Sequence, residues 1–222
     1  ALDDEVILGL VQMSKEQRFS SRCVPFSRYQ LIRLLGWRDE GKSYTRLEES
    51  LKRWLGVTLY YENAWWDKAS RRWVDAHFHM LDNLVISHRS NRCGRPARRK
   101  MPLPESSFTW NEIVFRSFQS GHLKKLDMDF YRSLKSSAAK RIYRFLDKRF
   151  HFSNRWSHNL KRFAYEHVGL SRCYDASQLK RRLNPAIREL EDAGYLEPLP
   201  AERRYCRVRR GEWEVCFIRA SR

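Results

Sequence analysis

The chain has 222 residues, with 44 Lys and Arg against 26 Asp and Glu, and a formal charge of +18 at pH 7. An apolar fraction of 42%, with 8 Trp, 10 Tyr and 12 Phe, suffices for packed cores and excludes disorder as a description of the whole. The charge asymmetry calls for a polyanionic partner, nucleic acid before a membrane surface, because there is no long apolar run, signal peptide or amphipathic anchor.

Asp3 and Asp4 ahead of Val6, Ile7, Leu10 and Val11 predict an N-terminal helix with acidic residues in its first turn. Pro25 and Phe26 break the chain, and Ser27 caps a short helix over residues 29–35 that Gly36 ends. A loop over 38–42 leads to Ser43 and a third helix. Leu47, Leu51, Trp54 and Leu55 form its apolar stripe, and Lys42, Ser43, Arg46, Ser50 and Arg53 line another side. After Gly56, β-branched and aromatic residues predict strands from residue 57 and from about 73 to 81. The stretch 65–72 between them, ending in Arg71 and Arg72, is a candidate wing.

Residues 89–104 hold six basic residues, three prolines and no acid, and read as an extended segment. It is either a linker or an insertion in the first domain's sheet. The second option is favoured, because Phe108, Trp110, Ile113, Val114 and Phe115 look core-directed again. That places a domain boundary near Lys124, giving domains 1–123 and 124–222. The second domain opens with helices at 129–134 and 137–146. A helix from His158 to His167 follows, with Leu160, Phe163, Ala164 and Val168 inward, then a turn at Gly169 and Leu170.

Leu179, Leu183, Ile187 and Leu190 then mark a helix that Gly194 stops. Its outer side carries Ser177, Gln178, Arg181, Arg182, Asn184 and Arg188. Arg can bind guanine and Gln or Asn adenine in the major groove, so this is a candidate recognition helix. The plain alternative is a solvated charged face. Pro185 either kinks the helix or opens a new segment after Asn184. Two strands joined at Arg210-Gly211 follow, with Arg203, Arg204, Arg207, Arg209 and Arg210 as phosphate or minor-groove contacts. The order of helix, helix, helix and basic hairpin appears twice, so the fold class expected is α+β with two tandem winged-helix domains. In the first, Glu48 and Glu49 dilute the basic face.

A catalytic constellation competes with this reading. Asp75, His77 and His79 alternate along one strand, and Tyr131 stands four residues before Lys135. This is similar to rolling-circle relaxases of the HUH type, in which strand histidines hold a divalent metal and a tyrosine attacks the phosphodiester. The polar outer face of a sheet and a core tyrosine explain the same residues. No Gly-rich phosphate loop is present. Cys23, Cys93, Cys173, Cys206 and Cys216 are scattered, with no C-x-x-C pair. No zinc site, disulfide framework or other cofactor is expected, and a reducing cytoplasm fits. Cys206 and Cys216 are read as small buried hydrophobes. A start at Ala1 without Met is read as a trimmed end.

The blocks LDMDFYRSL (126–134) and AKRIYRFLDKRF (139–150) resemble the replication initiator protein A family of plasmid initiators. So do Phe26-Ser27-Arg28-Tyr29-Gln30-Leu31 and Ser43-Tyr44 with Arg46, Leu47 and Leu51. The resemblance implies two winged-helix domains that bind direct repeats (iterons) in duplex DNA at an origin, in the bacterial cytoplasm. It implies melting of adjacent AT-rich DNA and recruitment of the host initiator ATPase and replicative helicase. Autorepression by a homodimer joined through the first domain is implied as well. The helix around Gln178, Arg181 and Arg182 would then carry much of the base readout. A regulator of the same fold without a replication role is the third reading.

Overall fold

The computed structural model describes residues 2–67, 71–87, 106–121 and 124–220. The chain forms two compact units, Leu2–Leu123 and Lys124–Arg222, each combining helices with small antiparallel sheets.

In the first unit, α1 (Leu2–Glu16) buries Val6, Ile7, Leu10 and Met13 along one face. They join a core with Leu31, Ile32 and Leu35 of α2 (Arg28–Leu35) and Leu47 and Leu51 of α3 (Gly41–Gly56). A Cβ on Gly9 would lie 2.7 Å from Leu31 Cδ1 and 3.0 Å from Leu35 Cδ2, so a larger residue there would make those core leucines shift. Ser27 and Gln30 form a reciprocal capping box at the start of α2. Gly36, at φ 72°, ends the helix as its amide donates to Arg33 O and that of Trp37 to Ile32 O.

β5 (Ser106–Trp110) lies between β1 (Cys23–Phe26) and β4 (Leu81–Val85). Its alternation buries Ser106, Phe108 and Trp110. The Trp110 indole donates to Ser14 Oγ at 2.8 Å, and that hydroxyl donates to Leu10 O at 2.9 Å. One serine thus satisfies the indole inside the core. β1 is an edge strand. Its Val24 and Phe26 face β5 with their backbone groups, and Cys23 and Pro25 face outward. α4 (Glu112–Gln119), capped by Asn111, closes the unit with Val114 and Phe115 buried.

β2 (Thr58–Asp67) and β3 (Arg72–His79) form a separate two-stranded ribbon from Thr58↔His79 to Asp67↔Arg72. The candidate wing at 65–72 is its closing end, though Lys68, Ala69 and Ser70 lie outside the described residues. The strand expected over 73–81 is two elements, because Met80 bends the chain and Leu81 enters the other sheet. β4 and β5 are paired neighbours. The basic segment 89–104, which the sequence placed as a linker or an insertion, lies outside the described residues.

In the second unit, Asp127 and Ser136 cap α5 (Met128–Ser133) and α6 (Ser137–Arg149). The helix expected from His158 begins later. His158 and Asn159 end β6 (Arg155–Asn159), and only α7 (Leu160–Arg162) and a π-helical turn (Phe163–Val168) are helical. Phe163 and Val168 are five residues apart and both buried, a spacing that a π-turn can place on one side.

α8 (Ala176–Asp192) runs unbroken through Pro185. The ring removes only the bond to Arg181 O, on the exposed side, where water can replace it. Gly194, at φ 70°, closes α8 as Gly194 N–H donates to Glu191 O and Tyr195 N–H to Leu190 O. A short α9 (Ala201–Arg204) precedes β7 (Tyr205–Arg209) and β8 (Glu212–Ile218). The sheet order is β6-β8-β7, with β8 central. Cys206 is exposed opposite Glu214, not buried as expected, and Cys216 is buried opposite Ser157. Cys23, Cys173, Cys206 and Cys216 are free thiols.

Candidate nucleic-acid interface

α8 carries four basic residues, Lys180, Arg181, Arg182 and Arg188. Leu179, Leu183, Ala186, Ile187 and Leu190 hold one side in the core. Ser177, Gln178, Arg181, Arg182, Pro185 and Arg188 are left exposed. Asp175 caps the helix by accepting from Gln178 N–H at 2.8 Å, while Gln178 Oε1 accepts from Asp175 N–H at 3.0 Å. Gln178 therefore serves the cap with its carbonyl and keeps only its amide donors outward. Asp175 also occupies the N-terminal end of the helix dipole with a carboxylate, so anion binding falls to the side chains. Arg181 and Arg188 have no carboxylate partner among the described residues. The Arg182 guanidinium lies 4.3 Å from the Tyr174 ring centre, and Tyr165 Oη steadies that loop by donating to Tyr174 O at 2.8 Å.

Four residues not singled out in the sequence join α8 to the hairpin or steady its face: Tyr174, Lys180, Tyr205 and Trp213. Lys180 Nζ sits 2.9 Å from the Trp213 ring centre and 5.2 Å from that of Tyr205. Burial pushes its pKa down. Tyr205 Oη donates to Asn184 Oδ1 at 2.6 Å, and burial holds that phenol neutral. Asn184, half-buried, is thus engaged through its Oδ1 as a helix-to-hairpin brace, which leaves only its amide donors for the base-reading role expected from the sequence.

Arg204 is the larger correction. It is only 3% exposed. Its guanidinium donates to Cys216 O, to Glu197 O at 3.1 Å and to the Glu191 carboxylate, and lies 5.3 Å from the Phe217 ring centre. The α9 turn points it into the unit, so it fastens the sheet to the end of α8. Arg203, Arg207, Arg209 and Arg210 remain exposed, and Arg209 pairs with Glu212 at 2.6 Å.

The first unit offers less. Ser43 and Ser50 are buried, because positions 43, 47, 50, 51 and 54 share the inner side of α3. Arg53 binds the Asp3 carboxylate through Nε and Nη2, at 2.7 Å for the shortest contact. Its hydrogen bonds hold the Asp3 carboxyl below the usual carboxylate range. Neither serine faces solvent, so these two expectations of a DNA contact are corrected, while Arg53 is exposed and paired with Asp3. Arg46 is exposed on α3, and Arg71 and Arg72 at the end of the β2–β3 ribbon.

Asp75, His77 and His79 are exposed on β3, where the His77 ring lies against Tyr60 at 5.0 Å. Among the described residues, no group of three or more His, Cys, Asp or Glu side chains could hold a metal ion. Tyr131 is 3% exposed in the second unit's core, with Lys140 Nζ over its ring. Among the described residues no helix is long and apolar enough to cross a membrane.

The fold of this chain, mixed helices with small antiparallel sheets, is of a class also seen in solved structures. Domains 2 and 3 of RctB match over 99% of this chain and 82% of theirs, at 12% identity and a TM-score of 0.60. A second structure of RctB domains 2–3 matches over 98% and 82%, at 13% identity and a TM-score of 0.53. At such identity the likeness is one of fold. No curated protein matches the sequence. The family model for Replication initiator protein A matches residues 2–196, and the chain belongs to that family.

Proposed function

We propose that this chain is a duplex-DNA-binding replication initiator with no catalytic step of its own, built from two winged-helix units. The observation that carries the reading is the second unit's order of elements. A strand before α7 and a hairpin after α8 pair as β6-β8-β7, and the outer side of α8 and the hairpin tip are both rich in arginine. In that arrangement α8 enters the major groove. Arg181, Arg182 and Arg188, with Ser177 and the amide donors of Gln178, face the bases, and Arg203, Arg207 and Arg210 face the backbone or minor groove. Arg46, Arg71 and Arg72 are the first unit's contribution.

Family membership supports the rest of the proposal. The target is a set of direct repeats at a plasmid-type origin, beside AT-rich DNA that opens. The partners are the host initiator ATPase and the replicative helicase, in the bacterial cytoplasm. A dimer joined through the first unit represses the chain's own promoter.

Footprinting on DNA flanking the chain's own gene tests this directly. Tandem direct repeats are expected. A single palindrome would instead support a regulator without a replication role. Arg181→Ala should lose about 1–3 kcal/mol on the repeat, with relaxed preference at one position. Equal loss on random duplex would remove Arg181 as a base reader. Nicking of supercoiled origin DNA with Mg²⁺ or Mn²⁺, abolished by Tyr131→Phe, would overturn the non-catalytic reading.

A further inference from the structure

The terminal hairpin holds one residue that its pairing leaves over. Arg207 pairs with Trp213 and Arg209 with Glu212, so Val208 has no partner across the ladder. The resulting bulge re-aims its side chain, which is 60% exposed. An isolated exposed valine is ordinary on a protein surface. This one stands among Arg207, Arg209 and Arg210 at the tip of a hairpin braced to α8 through Lys180 and Trp213 and through Asn184 and Tyr205.

We infer that Val208 is a minor-groove reader through which the hairpin tip discriminates A·T from G·C base pairs, an inference that rests on the duplex-DNA reading above. The minor-groove edge of an A·T pair presents only acceptors, whereas guanine adds its N2 amino donor. The tip offers the reverse chemistry. Arginine donors can serve A·T acceptors, and the valine methyls fill space against the sugars and base edges. Glu212, the acidic residue paired across from Arg209 at the tip, is held to that arginine at 2.6 Å. A guanine amino group beneath Val208 loses water and gains no acceptor, which penalises G·C. Narrow A·T tracts also concentrate the negative potential that draws the flanking arginines in.

The test uses the full chain and the duplex it selects from a random pool. Hydroxyl-radical footprinting locates the minor-groove stretch that the hairpin protects. That stretch is rebuilt with A·T, G·C or inosine·C pairs, the last keeping the G·C major-groove pattern without the N2 amino group. Wild type should bind the A·T and inosine·C duplexes alike and the G·C duplex about tenfold more weakly. Val208→Asn, which brings an acceptor, should shrink that gap to about twofold, and Val208→Ala should narrow it by less. Inosine·C binding as weak as G·C, or a gap unchanged in Val208→Asn, overturns the role of Val208 while leaving DNA binding intact. Failure of wild type to select any duplex from the pool overturns the duplex-DNA reading itself, and this inference with it.

Discussion

Replacing Arg204 by alanine should destabilise the second unit severely, although the residue lies in the basic stretch that leads into the hairpin. The Glu191 carboxylate is 14% exposed, and its charge would lose its partner while the carbonyls of Cys216 and Glu197 lost a shared donor. Breaking a buried pair from one side costs about 3–5 kcal/mol, against a stability of roughly 5–15 kcal/mol for a typical domain. With a urea slope of about 2 kcal/mol per molar, the midpoint should fall by about 2 M. Hydrogen exchange read by mass spectrometry on the peptide covering β7 and β8, along a urea series, reports this unit alone. Adding Glu191→Gln to the arginine variant should recover part of the loss, because the orphaned charge is removed. A midpoint unchanged in Arg204→Ala, together with weaker DNA binding and a shallower salt slope, would show that Arg204 is a DNA contact and refute the packing argument.

Two further outcomes follow from the charged pairs. Arg53→Gln should leave the salt dependence of DNA binding unchanged, as measured by anisotropy, because Arg53 is held by Asp3. Asp3 titrates lower in the folded chain, so what the pair adds to stability is present above the ordinary carboxylate pKa and lost as pH falls through the folded value. Melting curves of wild type and Arg53→Gln should therefore converge in acid, and a constant difference would contradict the pairing. His158 and His167, whose rings lie 5.7 Å apart, are both held below the usual imidazole pKa. Burial leads in both. Arg162 and Arg149 add to it at His158, and His158 leads the charge effects at His167, while Glu166 and Glu214 oppose. The unfolded chain takes up these protons more readily, so stability is full above the ordinary histidine value and falls as pH drops below it towards the lower folded values. His158→Asn with His167→Asn should flatten that slope, and an unchanged slope would remove the pair as its source.

The helices and their ends were largely legible. The spacing of Leu179, Leu183, Ile187 and Leu190 and the stop at Gly194 both reappear in α8, as do the cap at Ser27 and the stop at Gly36 in α2. What escaped was the direction of polar side chains. Ser43 and Ser50 were placed outside by polarity, although their spacing from Leu47, Leu51 and Trp54 put them on the inner face. Arg204 could not be told from Arg203 or Arg207 by type, because a four-residue turn decides which of them points inward. The partners that hold Arg204 come from the end of α8, the loop beyond it and β8, and those of Lys180 come from β7 and β8. No local pattern joins such distant residues. The strand that ends at Asn159 was hidden because the apolar stripe of the next turn runs back into it. Leu160, Phe163, Ala164 and Val168 fit a regular helix until the π-turn widens it.

The outward edge of β1 has a consequence for how copies of this chain meet. Cys23 donates its amide to Ser21 Oγ at 3.2 Å, and Pro25 has no amide hydrogen, so that side presents carbonyl acceptors alone. A strand laid against it would find no donors for its own carbonyls, and ladder growth would stop at the first pair. Sheet-to-sheet zippering, the common route from a concentrated β-containing protein to an aggregate, is closed along β1. Copies of the chain at high concentration can therefore meet through side chains there without fusing their backbones.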